Sequence, residues 1–269
     1  MKETGGQTFW EHLDELRKVL LRVIIVLVVL MVGMFVMKDE LFAIILAPGH
    51  DDFVLYEWLR NIGSALSTEN ISPGRFKVEL INTELTGQLM AHIRIAFYAS
   101  LIVGFPYILW EVFGFVAPAL YRNERKIAVV MLTVGLLLFY IGVLLSYTLI
   151  FPLSFRFLSL YEVSAEVSNM IQLKSYLDTL LMLSLMMGVM FEIPLASLLL
   201  SRMGIIDSTM MSRYRRHAVL AILILAAIIT PTTDVFTLLM VGLPIYILYE
   251  LSILAVKIFG KKRNDNATI

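Results

Sequence analysis

The chain has 269 residues, of which 59% are apolar and only 16% charged, and its formal net charge is zero. A soluble domain is nearer half apolar and a quarter charged, so the balance excludes an ordinary globular enzyme and points to a bilayer-spanning protein. There is no cysteine, which removes disulfides, cysteine-ligated metals and thiol catalysis together.

The first eighteen residues, MKETGGQTFWEHLDELRK, are polar and of mixed charge. They are expected to be neither a secretory signal nor a transit peptide, so the first apolar segment should stay in the mature protein. The first span is expected over about residues 19–37, with Arg22 one turn in and able to snorkel to the headgroups. A polar stretch from Lys38 to about Met90, with Pro48-Gly49 and Ser72-Pro73-Gly74, reads as a substantial loop with some local helix. The second span is expected over about 93–113, kinked at Pro106, which lacks an amide donor. A short connection, FVAPALYRNERK, leads to a third span over 127–150; a polar connection then leads to a fourth over 177–200.

The fifth apolar run, Ala218 to Ile229, is only about a dozen residues, roughly 18 Å of helix against a hydrocarbon core of roughly 30 Å. Either the helix extends back through Arg213-Tyr214-Arg215-Arg216, giving a span over about 214–230, or the last pair is short and the bilayer thins around it. A re-entrant hairpin is the alternative. The turn TPTTD and a sixth span over 235–256 follow, and residues 257–269 form a basic tail. The expected fold is thus all-α, a single membrane domain over 1–269 with six transmembrane helices.

Lys and Arg set the orientation. With both termini in the cytoplasm, that face gathers Arg17, Lys18 and Arg22, then Arg122, Arg125 and Lys126, then Arg202, Arg213, Arg215 and Arg216, then the tail; this is most of the chain's 22 basic residues.

Three acids fall at or inside the spans: Glu111, Glu192 and Glu250. An ionisable group there is costly and is a functional candidate by default. Glu192 stands two residues before Pro194, which frees a backbone carbonyl one turn back. It reads either as a polar site facing a cavity or substrate segment, or as a protonated Glu bonded to a neighbouring helix. Glu250 reads as structural, and Glu111 as solvated near the cytoplasmic interface. On the cytoplasmic face, Phe9, Leu13, Leu16 and Leu20 make an amphipathic entry beside Glu11, Asp14 and Glu15, and Glu124 stands among Arg122, Arg125 and Lys126. Acids add nothing to anchoring at an anionic leaflet, but they can receive a cationic peptide, because carboxylate and guanidinium pair through two parallel hydrogen bonds. Internal pairing of Glu15 or Glu124 with nearby bases is the alternative. The four histidines do not pair at helical spacing, so no metal site is expected. No Gly-x-Ser-x-Gly or Walker loop is present.

Five motifs occur in register: Phe9-x-x-His12-Leu13-x-Glu15-Leu16-Arg17, the stretch from Pro106 to Arg125, Phe191-Glu192-Ile193-Pro194, Thr230-Pro231-x-x-Asp234 and Pro244-x-Tyr246-x-x-Tyr249-Glu250. Together they resemble the TatC family over nearly the whole chain. The chain departs from that pattern at Glu111, where the family commonly has Gln, at Phe113, near a family Trp, and at Thr232, in place of a second Pro. Its first external loop also looks longer than usual. The resemblance implies a receptor in a bacterial inner membrane rather than an enzyme, built as a concave helix bundle. It would recognise the twin-arginine motif in signal peptides of folded cargo. Glu15 and Glu124 would accept the arginines, Phe115 would pack the adjoining apolar residues, and Arg17 and Arg122 would shape the site. Glu192, with Pro194, would face the concave side, Asp234 would lie at the external turn and Glu250 in the final helix. Single-span TatA-like and TatB-like subunits would be partners in a hetero-oligomer, with the proton-motive force as energy source, and with no cofactor and no nucleic acid. The contrasting reading is a proton-coupled secondary transporter using Glu192, disfavoured by the lack of an internal repeat.

Overall fold

The computed structural model describes residues 9–65, 79–120, 125–161, 164, 169–230 and 234–260. Its helices in chain order are α1 (Phe9–Val36), α2 (Lys38–Leu46), α3 (Val54–Ala65), α4 (Gly87–Leu120), α5 (Arg125–Leu145), α6 (Phe151–Leu160), α7 (Leu173–Met190), α8 (Ile193–Arg202), α9 (Ser208–Arg213), α10 (Arg215–Ile229) and α11 (Val235–Phe259). Helix is forced on the apolar segments because hydrocarbon offers no partner to a backbone N–H or C=O.

Among the described residues, five stretches are long and apolar enough to cross a membrane: Leu13–Val36, Gly87–Phe115, Val129–Leu160, Leu173–Arg202 and Val235–Phe259. Each extends past the apolar run that marked it in the sequence at one end or both. The remaining segment, α10, has 15 residues, about 22 Å of rise, and is short of the roughly 30 Å core. It reaches back through Arg216 and Arg215 but not through Arg213, because Tyr214 separates α9 from α10, its N–H shared between the carbonyls of Met210 and Met211.

The third span is not a uniform helix. Between α5 and α6 the residues Ser146–Ile150 form a π-turn, with the Phe151 N–H bonded to the Ser146 carbonyl. Pro152 supplies the reason: without an N–H it cannot continue an α-helical ladder, and the wider turn accommodates its ring. The fourth span also breaks. α7 stops at Met190, Phe191 and Glu192 form a turn, and Pro194 sits in the first turn of α8. By contrast α4 continues as one helix through Pro106.

The spans pack around α7. Its buried Leu177, Leu180, Leu183 and Met187 join Ile95 of α4, Phe151 of α6, Ile222 and Ala226 of α10, and Val241 and Ile245 of α11 in one cluster. At the other extreme, only 6% of the most apolar window of α1 is buried, so α1 rides on the outside of α4 with its remaining faces left to lipid. Lipid is as apolar as leucine, so close approach, rather than burial, holds helices together. α5 meets α7 at Gly142, where a Cβ would stand 2.7 Å from the Met187 carbonyl oxygen and 2.8 Å from the Phe191 ring.

The long first connection, expected as loop with local helix, holds α2 and α3 and is tied down at several points. Tyr147 donates to the Ile44 carbonyl at 2.6 Å, Tyr176 to the Ile45 carbonyl at 2.8 Å, and Tyr56 to the Pro152 carbonyl at 2.8 Å. Burial pushes the Tyr56 phenol well above its usual range, so it stays a neutral donor, with the Arg156 guanidinium 5.6 Å from its ring centre. A two-residue parallel pairing of β1 (Leu80–Ile81) with β2 (Ile171–Gln172), and a Lys174–Glu84 ion pair of 3.0 Å, fasten the end of the connection to the start of α7.

Gly142→Val should lower the thermal unfolding midpoint of the purified protein, a loss of about 1–3 kcal/mol, because backbone on one side and a ring on the other leave the new methyls no room. A circular-dichroism melt in detergent measures it.

Candidate functional site

α1 and α4 run antiparallel in a fixed register. Arg22 Nη1 lies 3.3 Å from Glu111 Oε1, a Cβ on Gly104 would touch Leu27 and Leu30, and the ring of Phe35 stacks on His92 at 3.9 Å. Glu15 lies seven residues before Arg22, on the same stripe of α1; Phe115 lies four residues after Glu111, on nearly the same stripe of α4. Each stands beyond the ion pair in the same direction, by about 10 Å and about 6 Å respectively. Glu15 and Phe115 therefore line one end of the α1–α4 seam, at the end where α4 closes on Leu120.

At that end Glu15 and Arg17 are exposed and make no ion pair among the described residues, while Phe115 is half-buried and in contact with its surroundings. Arg122 and Glu124, the other residues singled out from the sequence, lie outside the described residues.

Glu111 is not solvated as the sequence suggested. It is 9% exposed, accepts a hydrogen bond of 2.9 Å from the Tyr107 hydroxyl and pairs with Arg22. Arg22 in turn is held by α4 instead of only reaching for headgroups. The pair is a tie between two spans whose spacing the sequence left unread.

Glu192 stands just before α8 at the break in the fourth span without a side-chain cap bond, its side chain turned toward α5. A Cβ built on Gly135 would stand 3.1 Å from Glu192 Oε2 and 3.0 Å from Leu109. Oε1 is buried without a hydrogen-bond partner among the described residues, so the carboxyl is not fastened to a neighbouring helix through that oxygen. Pro194 makes the arrangement possible: it closes the α7 ladder early and sets the first turn of α8.

The last two helices hold the remaining candidates. Glu250 of α11 receives Arg215 Nε and Nη2 of α10, each at 2.9 Å, and the Tyr246 hydroxyl at 3.2 Å. This two-pronged pair ties the short α10 to α11. Asp234 caps α11, its Oδ1 accepting the Thr237 N–H at 2.7 Å, while its buried Oδ2 has no partner among the described residues.

One charged pair escaped the sequence reading. Asp178, inside the fourth span, pairs with Arg94 of the second. The signal was present as two opposite charges in two apolar runs, but nothing local indicated that they meet. Among the described residues no group of three or more His, Cys, Asp and Glu is placed to hold a metal ion.

Five long apolar stretches among the described residues, with ionisable groups paired between helices, define a multi-pass helical membrane protein. A sequence model of the Sec-independent protein translocase protein (TatC) family matches residues 11–244. The Sec-independent protein translocase protein TatC of Deinococcus radiodurans is 32% identical over 257 residues, covering 96% of this chain and 88% of that protein. The protein of the same name from Escherichia coli is 32% identical over 266 residues, covering 98% and 94%. Two crystal structures of the twin arginine translocase receptor TatC, the second in DDM, superpose with TM-scores of 0.74 and 0.76 at 28% and 27% identity. They cover 92% and 91% of this chain and 99% of each crystallised chain. The chain belongs to the TatC family. It is a component of the Sec-independent protein translocase and not an enzyme.

A double-mutant cycle on Arg22→Gln and Glu111→Gln should give a coupling energy of about 1 kcal/mol, modest because the arginine is half-exposed. Chemical unfolding of the two single variants and the double variant measures it.

Proposed function

We propose that the chain is the subunit that receives twin-arginine signal peptides of folded cargo, on the cytoplasmic face of a bacterial inner membrane. The observation that carries the reading is the α1–α4 register. It sets an exposed carboxylate, Glu15, and an apolar ring, Phe115, along one seam, immediately before the 121–124 connection that bears Glu124. A pair of guanidinium groups suits two carboxylates through parallel hydrogen bonds, and the apolar residues beside them suit an aromatic ring. Arg17 and Arg122 shape the site.

In this reading both termini are cytoplasmic, and the short α10 with α11 forms a sixth crossing in a locally thinned bilayer. Glu192 lies on the concave side, where the inserted peptide or a single-span TatA-like or TatB-like subunit docks, with Pro194 holding the carboxyl at the helix break. Asp234 and Glu250 set the geometry of the final hairpin for such a partner. The proton-motive force supplies the energy, in keeping with a sequence that has no nucleotide-binding loop. Membership of the TatC family sets the small-solute transporter aside.

Glu15→Gln and Glu124→Gln should each weaken binding of an Arg-Arg signal peptide tenfold or more, on the basis of about 1.5–3 kcal/mol for a charge-assisted hydrogen bond. A Lys-Lys version, already weak, should change far less. Calorimetric titration in detergent compares the two, and equal losses for both peptides would refute a guanidinium-specific site. Glu192→Leu should insert and elute as the parent does yet export little of a twin-arginine reporter; unaltered export would make that carboxyl structural.

A further inference from the structure

A chamber of about 440 Å³ lies in the α2 half of the bundle, between α4 and α5 with α7 behind. α2 roofs it with Leu41 and Ile44, and the Tyr147 hydroxyl bonded to the Ile44 carbonyl holds that roof in place. Ala99 of α4 and Leu181 of α7 lie on its walls. The hydroxyl of Tyr140 is already committed to the Ile102 carbonyl, and Ser184 brings one buried oxygen with no partner among the described residues. The Phe105 and Phe139 rings, stacked 3.4 Å apart, stand between the chamber and the Glu192 side of the same seam.

Size decides what kind of chain fits. From Ile95 to Val103 the chamber follows α4 for about 12 Å, more than two turns, whereas a helix about 10 Å across fills ~420 Å³ in a single turn. A whole transmembrane helix is too thick to enter it and could only lie across its open side. The volume is that of about fifteen methylenes if each takes about the ~30 Å³ of a liquid water, which is one acyl chain.

Within one turn of the lining residues Ile95 and Leu181 stands a pair of opposite charges. Arg94 directly precedes Ile95, which lines the chamber, and Asp178 lies one turn above Leu181; the two pair across α4 and α7. Both side chains remain accessible, 38% and 42% exposed. A guanidinium suits a phosphate and a carboxylate suits an ammonium, so the pair matches a headgroup carrying both. An anionic headgroup without an amine would meet the aspartate unfavourably.

From the chamber and the charged pair beside it, we propose that the protein holds one zwitterionic aminophospholipid from the leaflet on the α2 side. One acyl chain fills the α4–α5–α7 chamber, and the phosphate and ammonium rest on Arg94 and Asp178. The site is separate from the signal-peptide ledge and does not depend on that function.

The test is photolabelling in nanodiscs, using phosphatidylethanolamine with a diazirine midway along one acyl chain. Peptide mapping should place adducts on the stretches 95–103 and 140–147 at least about fivefold above those on the lipid-facing part of α1 around Ile24 and Val28. Unlabelled phosphatidylethanolamine should compete for the chamber adducts better than phosphatidylglycerol. That comparison uses the unmodified chain and so does not depend on any variant folding. Ala99→Trp, which fills the chamber, should remove its adducts and leave those on α1, and Arg94→Gln with Asp178→Asn should erase the headgroup preference while keeping the chain labelled. Adducts no denser in the chamber than on α1, or unchanged in Ala99→Trp, would overturn the site. Equal competition by the two lipids in the unmodified chain would overturn the headgroup assignment.

Discussion

A polar group inside hydrocarbon has only the protein to bond with, and nearly every irregular feature of this molecule answers to that constraint. Where Pro152 interrupts the third span, the ladder widens into a π-turn instead of opening to lipid, and the Tyr56 hydroxyl bonds the Pro152 carbonyl. Where Pro194 interrupts the fourth, a turn at Phe191 and Glu192 carries the chain from one helix to the next. Charges follow the same rule. Glu111 takes Arg22, Asp178 takes Arg94, and Glu250 takes Arg215 with two nitrogens.

The rule also sorts the acids by role. Those that are paired across helices act as ties, because each joins two spans that have no hydrophobic force drawing them together in lipid. Three of the acids singled out from the sequence, Glu15, Glu192 and Asp234, have no such partner among the described residues for the exposed carboxylate, for Oε1 and for Oδ2 respectively. A buried carboxylate oxygen without a partner is costly, which sets Glu192 and Asp234 apart, whereas the exposed Glu15 carboxylate carries no such cost.

Packing complements the polar ties. α7 is central and buried, and α5 presses against it through Gly142. α1 is peripheral, attached along one seam of α4 by an ion pair, a ring stack and the contacts at Gly104. A helix so placed exposes a long edge without weakening the core. The described parts of the connection between α1 and α4 are held at several points. The tyrosine hydroxyls, the short strand pair and the Lys174–Glu84 pair hold it over one end of the bundle, and α2 there roofs the apolar chamber.

The sequence by itself determined the membrane class, the approximate place of every long apolar helix and membership of the TatC family. These depend on composition over some twenty consecutive residues and on motifs within a few turns, both local properties. Only the tertiary structure decided which charges meet. Arg22 was expected at the headgroups and Glu111 in water, yet they pair; Asp178 passed unnoticed, yet it holds Arg94 from 84 residues away. It also decided that the fourth span breaks at Glu192 while the second continues through Pro106, and that Tyr214 divides α9 from α10. The physical reason is common to all of these. The register between two helices is set by where small residues let their backbones approach, and a charge finds its partner only after that register exists.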